Sequence, residues 1–464
     1  MAFEKVTVLG GGSARTPLLI HGIAEARAKV GIREVALYDT DRSRVELIAA
    51  LGREVARRLG SDLKITTPEK VGDAVTGAKC VISSLRVGGG AARARDEEVA
   101  RNCGFAGQET TGPGGMAMAL RTIPVALEYV RVVERCAPDA WLINFTNPAG
   151  LITQALTSHT KLRVVGICDT PTEIFHRIAA ALKEPREQVD CHYSGLNHLG
   201  WVYSVKVRGE ERIGDILNND ASLRSLYPSD LFAPEFLRSL QAIPTEYLFF
   251  YYSQQRAFQN QSGVGATRGQ EIQKLDAQAW KDTNDAVARG NVARGLERHT
   301  AYLMQRSASY LRLESRGESA MGVAPEEFPD PFQAETGYHR MALEVLTALA
   351  SDQPSTIVVN VPNATSIPDL NPDDVVEVPC LVSSKGVVPI PVGRPPDAVR
   401  GLILSVKEYE RCVIRAAVEQ SADAARFALV SLPIVGQWEP ADQVVRALIA
   451  SDPEYLGYLS WDRV

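Results

Sequence analysis

A thiol and a carboxylate stand side by side where one apolar run ends. In "VVGICDTP", Val164 to Pro171, the run stops at Cys168 and Asp169. Thirty residues on, "GLNHLGW" places Asn197 and His198 on a turn ahead of a second apolar segment. A thiolate and an imidazole together suit a borderline divalent metal and leave positions open for water or substrate. The spacing does not by itself bring the two together. Free cysteine is among the most buried residue types, and a lone histidine is more often a hydrogen-bonded core residue. Arginines offer a second chemistry. Arg93 in "LRVGGGAARARDEE" and Arg268 in "GVGATRGQE" carry forks able to grip two oxygens of a phosphate, or are solvated surface charges. Glu109 is the one acid of "GFAGQETTGPGGMA", Gly104 to Ala117, a stretch that reads as a loop scaffold or as backbone wrapped against a ligand. "PTEYLFFYY" offers Tyr247, Tyr251 and Tyr252. A phenol with its ordinary pKa of about 10 needs a nearby cation to act as a base at neutral pH. The bland alternative is an aromatic packing patch.

These residues must be held by something, and the first third of the chain supplies it. "KVTVLGGG", "REVALYDTD", "KCVISSLRVGGG", "AWLINFTNP" and "LRVVGICDTP" read as five strands separated by helical segments. In "LRTIPVALEYVRVV", Leu120, Ile123, Leu127 and Val130 repeat at helical spacing, and Pro124 is expected to kink or restart that helix. Strand–helix alternation with apolar strands implies a parallel sheet covered on both faces, with right-handed crossovers. Ligands in such sheets bind beyond the carboxyl ends of the strands. That edge collects Arg86, then Asn144, Thr146, Asn147 and Pro148, then Cys168 and Asp169.

Gly10, Gly11 and Gly12 sit where a dinucleotide-binding turn belongs, between a first strand and a helix whose N-terminus favours a pyrophosphate. The third glycine position of the fingerprint is Arg15. Asp39 ends the second strand and can take ribose hydroxyls; with no basic residue directly after it, it favours NAD over NADP. From about residue 196 the pattern turns mixed. The expected architecture is α/β: a Rossmann-type doubly wound parallel sheet over residues 1–195, followed by a mixed α+β catalytic and oligomerisation domain over 196–464. In the latter, Leu402, Val406, Tyr409, Val413 and Val418 fall near one helical face, and Ser315 to Phe332 reads as a mobile loop.

Composition narrows the function. The 464 residues are 45% hydrophobic and 23% charged, a globular balance, with a net charge of −6 that gives no reason to expect nucleic acid or an anionic membrane. No segment reaches the roughly 20 apolar residues of a membrane helix, and no signal peptide is read at the start. Seven cysteines at scattered spacings do not form a disulfide framework, and a cytoplasmic location with free thiols is expected. Cys80, Cys103, Cys136, Cys191, Cys380 and Cys412 read as packing.

With these pieces in place, the chain resembles the family 4 glycoside hydrolases, glycosidases that depend on NAD and a divalent metal, and particularly their 6-phospho-glucosidases. The resemblance is carried by "VLGGGSARTP", "LRVGGGAARARDEE", "GQETTGPGGMAMALRTIPV", "NFTNPAG", "GICDTP", "GLNHLGW", "PTEYLFFYY" and "VEVPCLV", in the family's order. It implies hydrolysis by oxidation and elimination rather than by a pair of carboxylates. NAD takes hydride from C3 of the sugar, a tyrosine removes the acidified C2 proton, the glycosidic oxygen leaves, water adds, and the hydride returns. A metal, usually Mn²⁺, acts as Lewis acid at the C3 oxygen and C2 hydroxyl. By resemblance Cys168 and His198 are the metal ligands. Tyr247 is the base, with Tyr251 and Tyr252 as alternatives and Phe250 a departure where many relatives have tyrosine. Arg93, Asn147, Asn197 and Arg268 face the phosphorylated sugar, Glu109 lies near the metal water or C1, and Gly10, Gly12, Ser13, Arg15, Thr16, Asp39 and Arg86 face NAD. A homodimer or homotetramer is expected. The flanking motifs point to β-glucosides. Asp169 points the other way, because α-specific relatives carry an acid there and many β-specific ones an asparagine. The competing readings are a lactate/malate-type dehydrogenase, which lacks a use for Cys168, His198 and the tyrosines, and an NAD sensor with a decayed site, which should have lost one of them.

Overall fold

The protein is described here from a computed structural model, covering residues 3–227, 231–263, 265–310 and 330–461. Six parallel strands form its N-terminal half: β1 (Lys5–Leu9), β2 (Glu34–Tyr38), β3 (Lys64–Thr66), β4 (Cys80–Ser83), β5 (Trp141–Asn144) and β6 (Arg163–Gly166), in the order β3-β2-β1-β4-β5-β6. This is the doubly wound dinucleotide-binding order, with its crevice where the order reverses between β1 and β4. Five of the six are the strands read from the sequence. The edge strand β3 was not, because three residues with one buried side chain carry too little pattern. β4 and β5 are buried at every position, as strands covered on both faces should be.

The sheet continues past residue 195 without a break. β7 (Val189–Leu196), β8 (Leu199–Val207), β9 (Glu210–Glu211), β10 (Ile243–Pro244), β11 (Ser355–Pro362), β12 (Val375–Ser383) and β13 (Gly386–Pro389) extend it to thirteen strands. β11 meets β6 antiparallel at Asn360 and Gly166, and β12 meets β7 at Glu377 and Gly195. Gly166 is required there: a Cβ would lie 2.2 Å from Thr153 Oγ1 and 2.9 Å from Asn360 Cβ. One apolar cluster runs through both halves. Each fully enclosed aliphatic side chain in it contributes about 1.5–3 kcal/mol.

Three local expectations change. The helix Gly112–Cys136 continues past Pro124 without a restart. Proline removes the N–H that would reach the Leu120 carbonyl, and Tyr458 supplies the missing donor, its hydroxyl 2.7 Å from that oxygen. The glycine-rich stretch 104–117 is loop only in its first half. From Gly112 it is helix, and Gly114 and Gly115 are there because a Cβ would strike the backbone of Gln108 and Thr110 in the helix's own lead-in. In the helix Asp397–Glu419, Val406, Tyr409 and Val413 are buried as read, but Val418 is 41% exposed. Of the expected loop Ser315–Phe332, residues up to 329 lie outside those described.

Candidate active site

The strand ends and the lead-in loop bring the sequence candidates to one place. Arg86 follows β4, and Arg93 rides the helix Gly89–Asn102. Both grip Glu109: Arg86 Nη2 is 2.8 Å, and Arg93 Nη1 3.0 Å, from Glu109 Oε2. Burial works to raise the Glu109 carboxyl, but the charges of Arg93, Arg86 and Arg306 override it and hold the group well below the usual carboxylate range. Arg93 is itself pinned by Glu97, at 2.8 Å, and Glu97 caps the helix Arg268–Ala288 by accepting from the Gly269 N–H at 2.6 Å. The second half of the chain thereby holds the first. Gln261 does the same for the lead-in loop, pairing both polar atoms of its amide with the backbone of Gly107. Arg268 Nη2 donates to the Arg306 carbonyl at 2.9 Å.

The other side of the site has few cations. β7 and β8 turn over Asn197 and His198, with His198 in left-handed backbone at φ 60. Asn197 donates to Glu377 at 3.1 Å, and Glu377 also accepts from Tyr193 and Asn360, so this turn is anchored to a fully buried acid. His198 is enclosed, and burial lowers its pKa to about 4, so the ring is neutral. Gln108 Oε1 accepts from the backbone N–H groups of Thr110 and Thr111, which fixes that atom as oxygen. The Thr110 oxygen lies 3.0 Å from His198 Nδ1, and Nε2 is buried with no partner. A ring that donates from Nδ1 to Thr110 offers the Nε2 lone pair to a cation.

Tyr247 lies flat on His198, ring centroids 3.8 Å apart and planes 6° from parallel. Burial raises its phenol well above the ordinary value, against a hydrogen bond from Tyr310. Cys168 is buried with its thiol 3.4 Å from Thr170 Oγ1, and burial together with Glu377 and Asp169 holds its proton on. Asp169 heads the helix Thr170–Leu182 without capping it, and burial raises its carboxyl to about 7 despite Arg15. A divalent cation fits this donor set: a bare imidazole nitrogen and a thiol that a cation would deprotonate. Among the described residues no group of three or more His, Cys, Asp or Glu could hold a metal. Cys168 and His198 would leave most positions open, as a catalytic rather than a structural site requires.

At the crevice, Gly10 (φ 83) could not carry a Cβ, which would lie 2.2 Å from the Ser84 carbonyl; at Gly12 a Cβ would come 2.9 Å from Asp39 Oδ2. The turn amides of Gly10 and Gly11 donate to Tyr38, and that of Gly12 to Asp39 at 2.9 Å. Ser13 N–H is taken by the Gly10 carbonyl, and Thr16 starts the helix Thr16–Val30, whose Arg15 N-cap makes no side-chain cap. A partly exposed acid beside an uncapped helix N-terminus fits a ribose and a pyrophosphate.

Several expected residues thus meet and others do not. Tyr251 lies in the field of Glu410 and Tyr409, and Tyr252 packs on Phe236 at 4.8 Å. Of the three phenols in the motif, Tyr247 is the one stacked on His198. Asn147 comes 3.5 Å from the Tyr338 hydroxyl, and its side-chain oxygen is buried without a partner. Missed from the sequence were Tyr338, which lies near Cys168 and Asp169 with Arg15 over its ring at 4.8 Å, along with Tyr310, Glu246, Glu377 and Arg306. Glu377 stood in the quoted "VEVPCLV". Glu246 stood in the quoted "PTEYLFFYY", beside Tyr247, and the others lie in segments with no recognisable pattern.

Residues 5–184 match the model of the family 4 glycosyl hydrolases, and residues 193–435 match that of the family's C-terminal domain. A probable 6-phospho-beta-glucosidase of Bacillus subtilis is 30% identical, with 97% of both chains covered. The solved structure of the Thermotoga maritima 6-phospho-beta-glucosidase with manganese, NAD⁺ and glucose-6-phosphate superposes with a TM-score of 0.80 at 29% identity, over 97% of this chain and 99% of that one. A lactate dehydrogenase of Eimeria maxima aligns at a TM-score of 0.51 and 12% identity, over 90% and 96% of the two chains, a likeness of fold alone. The chain belongs to glycosyl hydrolase family 4.

Proposed function

We propose that this family member hydrolyses 6-phospho-β-glucosides by transient oxidation at C3, with NAD⁺ in the crevice and a divalent cation, most readily Mn²⁺, at Cys168 and His198. The stack of Tyr247 on His198, whose outer nitrogen is bare, carries this reading. A base, a metal-ready nitrogen and a thiol at one point suit proton removal beside a polarised carbonyl. Two-carboxylate hydrolysis has less support, since Glu109 is held ionised by guanidinium charge and is poorly suited to be an acid. When bound, the cation would polarise the sugar oxygens and favour the Tyr247 phenolate, and NAD⁺ would take up and return the C3 hydride.

The chain's own residues supply the rest. Tyr247 removes the C2 proton, and the hydrogen bond from Tyr310 steadies its oxygen. Asp169 protonates the leaving oxygen, a role supported by burial that raises its carboxyl to about 7. Arg93, Arg268 and Asn147 orient the phosphorylated sugar, with Asn197 at its edge. Glu109 keeps Arg86 and Arg93 in register. Gly10, Gly12, Ser13, Arg15, Thr16, Asp39 and Arg86 face the dinucleotide. Asp169 also favours a second reading, hydrolysis of 6-phospho-α-glucosides, because hydride removal at C3 does not depend on the configuration at C1. The relatives named as β-glucosidases support the first.

The reading includes a cofactor domain over 1–195 and a catalytic domain over 196–464, supported by the gap between the two family matches at 185–192. It also includes a cytoplasmic homodimer or homotetramer. Free cysteines support the compartment, and exposed Phe427, Trp438 and Trp461 support association. The test is nitrophenyl release from both anomers of nitrophenyl 6-phospho-glucoside, with and without NAD⁺ and Mn²⁺ under reducing conditions. Release from the β-anomer that needs both is expected. No release from either anomer with both present would overturn the hydrolase reading.

A further inference from the structure

Dinucleotide sites that take NADP place an arginine at the end of the second strand, where NAD sites place an acid. This chain has both. Asp39 ends β2, and Arg44 lies directly beside it: a Cβ on Gly12 would come 2.9 Å from Asp39 Oδ2 and 3.2 Å from Arg44 Cγ. Arg44 Nε donates to the Gly12 carbonyl at 3.1 Å, so its side chain runs along the glycine turn itself. Its fork, however, is turned away. Nη2 contacts both oxygens of Asp276, at 2.9 and 3.0 Å, and the guanidinium lies over the Trp280 ring at 4.5 Å. Asp276 is oriented in turn by the Tyr302 hydroxyl, at 3.1 Å, which accepts from Arg306 at 3.0 Å. The nearby Arg42 is likewise occupied, by Glu46 and by the carbonyls of Thr67 and Pro68.

Arg44 and Asp276 are 232 residues apart, and each side chain keeps 30% of its surface exposed. The pair stands at the rim of the crevice rather than in the core. We infer that Asp276 is a cofactor-specificity residue: by holding and neutralising Arg44, it denies a ribose 2′-phosphate the arginine that lies between the glycine turn and Asp39. The inference rests on the NAD reading above and deepens it. Asp39 and Asp41 stay in place whatever happens at 276, so their repulsion of a phosphate is common to all variants and cancels in a comparison. Releasing Arg44 adds a charge-assisted hydrogen bond available only to the 2′-phosphate.

The test is equilibrium binding of NAD⁺ and of NADP⁺ by calorimetry, with the full-length wild type, Asp276→Asn, Asp276→Ala, and Asp276→Asn combined with Arg44→Met. Thermal melting of each reports folding. The expected result is that Asp276→Asn and Asp276→Ala lower the ratio of NADP⁺ to NAD⁺ dissociation constants by about tenfold, what one charge-assisted hydrogen bond contributes. The added Arg44→Met should return the ratio to the wild-type value. A ratio unchanged in both folded single variants, or one that falls just as far without Arg44, overturns the inference and leaves the NAD reading standing. Wild-type protein that binds neither dinucleotide overturns both.

Discussion

Glu109 and Asp169 put the same carboxyl group into the same site, both half-buried, and end in opposite states. Glu109 lies among Arg86, Arg93 and Arg306 and is held ionised far below the usual range. At Asp169 the charge of Arg15 is set against those of Glu173 and Glu246, and burial raises the carboxyl to about 7. Their surroundings follow the same division. Around Glu109 the partners are guanidiniums and a helix terminus, groups that position anions. Around Asp169 they are the phenols of Tyr310 and Tyr338 and the Cys168 thiol, groups that exchange protons or bind a soft cation, and the stacked Tyr247 and His198 lie in the field of Glu109. The two acids separate the site into a side that holds and a side that reacts.

The largest break expected in that division is at Tyr247. Tyr247→Phe should lower kcat by about a thousandfold, within the range for loss of a general base, while calorimetry still shows glucose 6-phosphate binding. Asp169→Asn should be selective. With an alkyl 6-phospho-glucoside the rate should fall about a hundredfold, and with a nitrophenyl one only a few-fold, since nitrophenolate leaves without a proton. On the holding side, Arg93→Met should raise KM about thirtyfold, the loss of a charge-assisted bond, with kcat nearly kept; a fall confined to kcat would merge the two sides. Thr110→Val removes the oxygen that faces His198 Nδ1 and should weaken Mn²⁺ binding about tenfold by electron paramagnetic resonance titration. Smallest is Tyr251→Phe, expected within about twofold of wild type in steady-state rate because Tyr251 faces Glu410 and not His198.

Both sides were legible in part, and what the sequence hid it hid because of distance along the chain. Cys168, Asp169 and the glycine turn follow strands whose apolar runs announce themselves, and a parallel sheet forces strand ends to one edge. His198 sits in a two-residue turn between two strands. Arg306, by contrast, joins the site from a helix whose sequence has no motif, and the Arg44–Asp276 pair spans 232 residues. Local pattern carries no record of such pairings. Pro124 misled for the same reason: the donor it withholds from Leu120 is supplied by Tyr458, 338 residues from that carbonyl. Glycine was legible by type but not by cause. Gly114 and Gly115 suggested a ligand-wrapping loop, whereas they admit the backbone of Gln108 and Thr110.

The division predicts where the proton goes, and turnover in D₂O reads it directly. Wild type and Arg93→Met, each saturated with nitrophenyl 6-phospho-β-glucoside, NAD⁺ and Mn²⁺, should release glucose 6-phosphate carrying deuterium at C2 by mass spectrometry. Tyr247→Phe should yield almost no product. Product formed by the wild type at full rate with only hydrogen at C2 would contradict proton removal by Tyr247 and, with it, the assignment of chemistry to that side of the site.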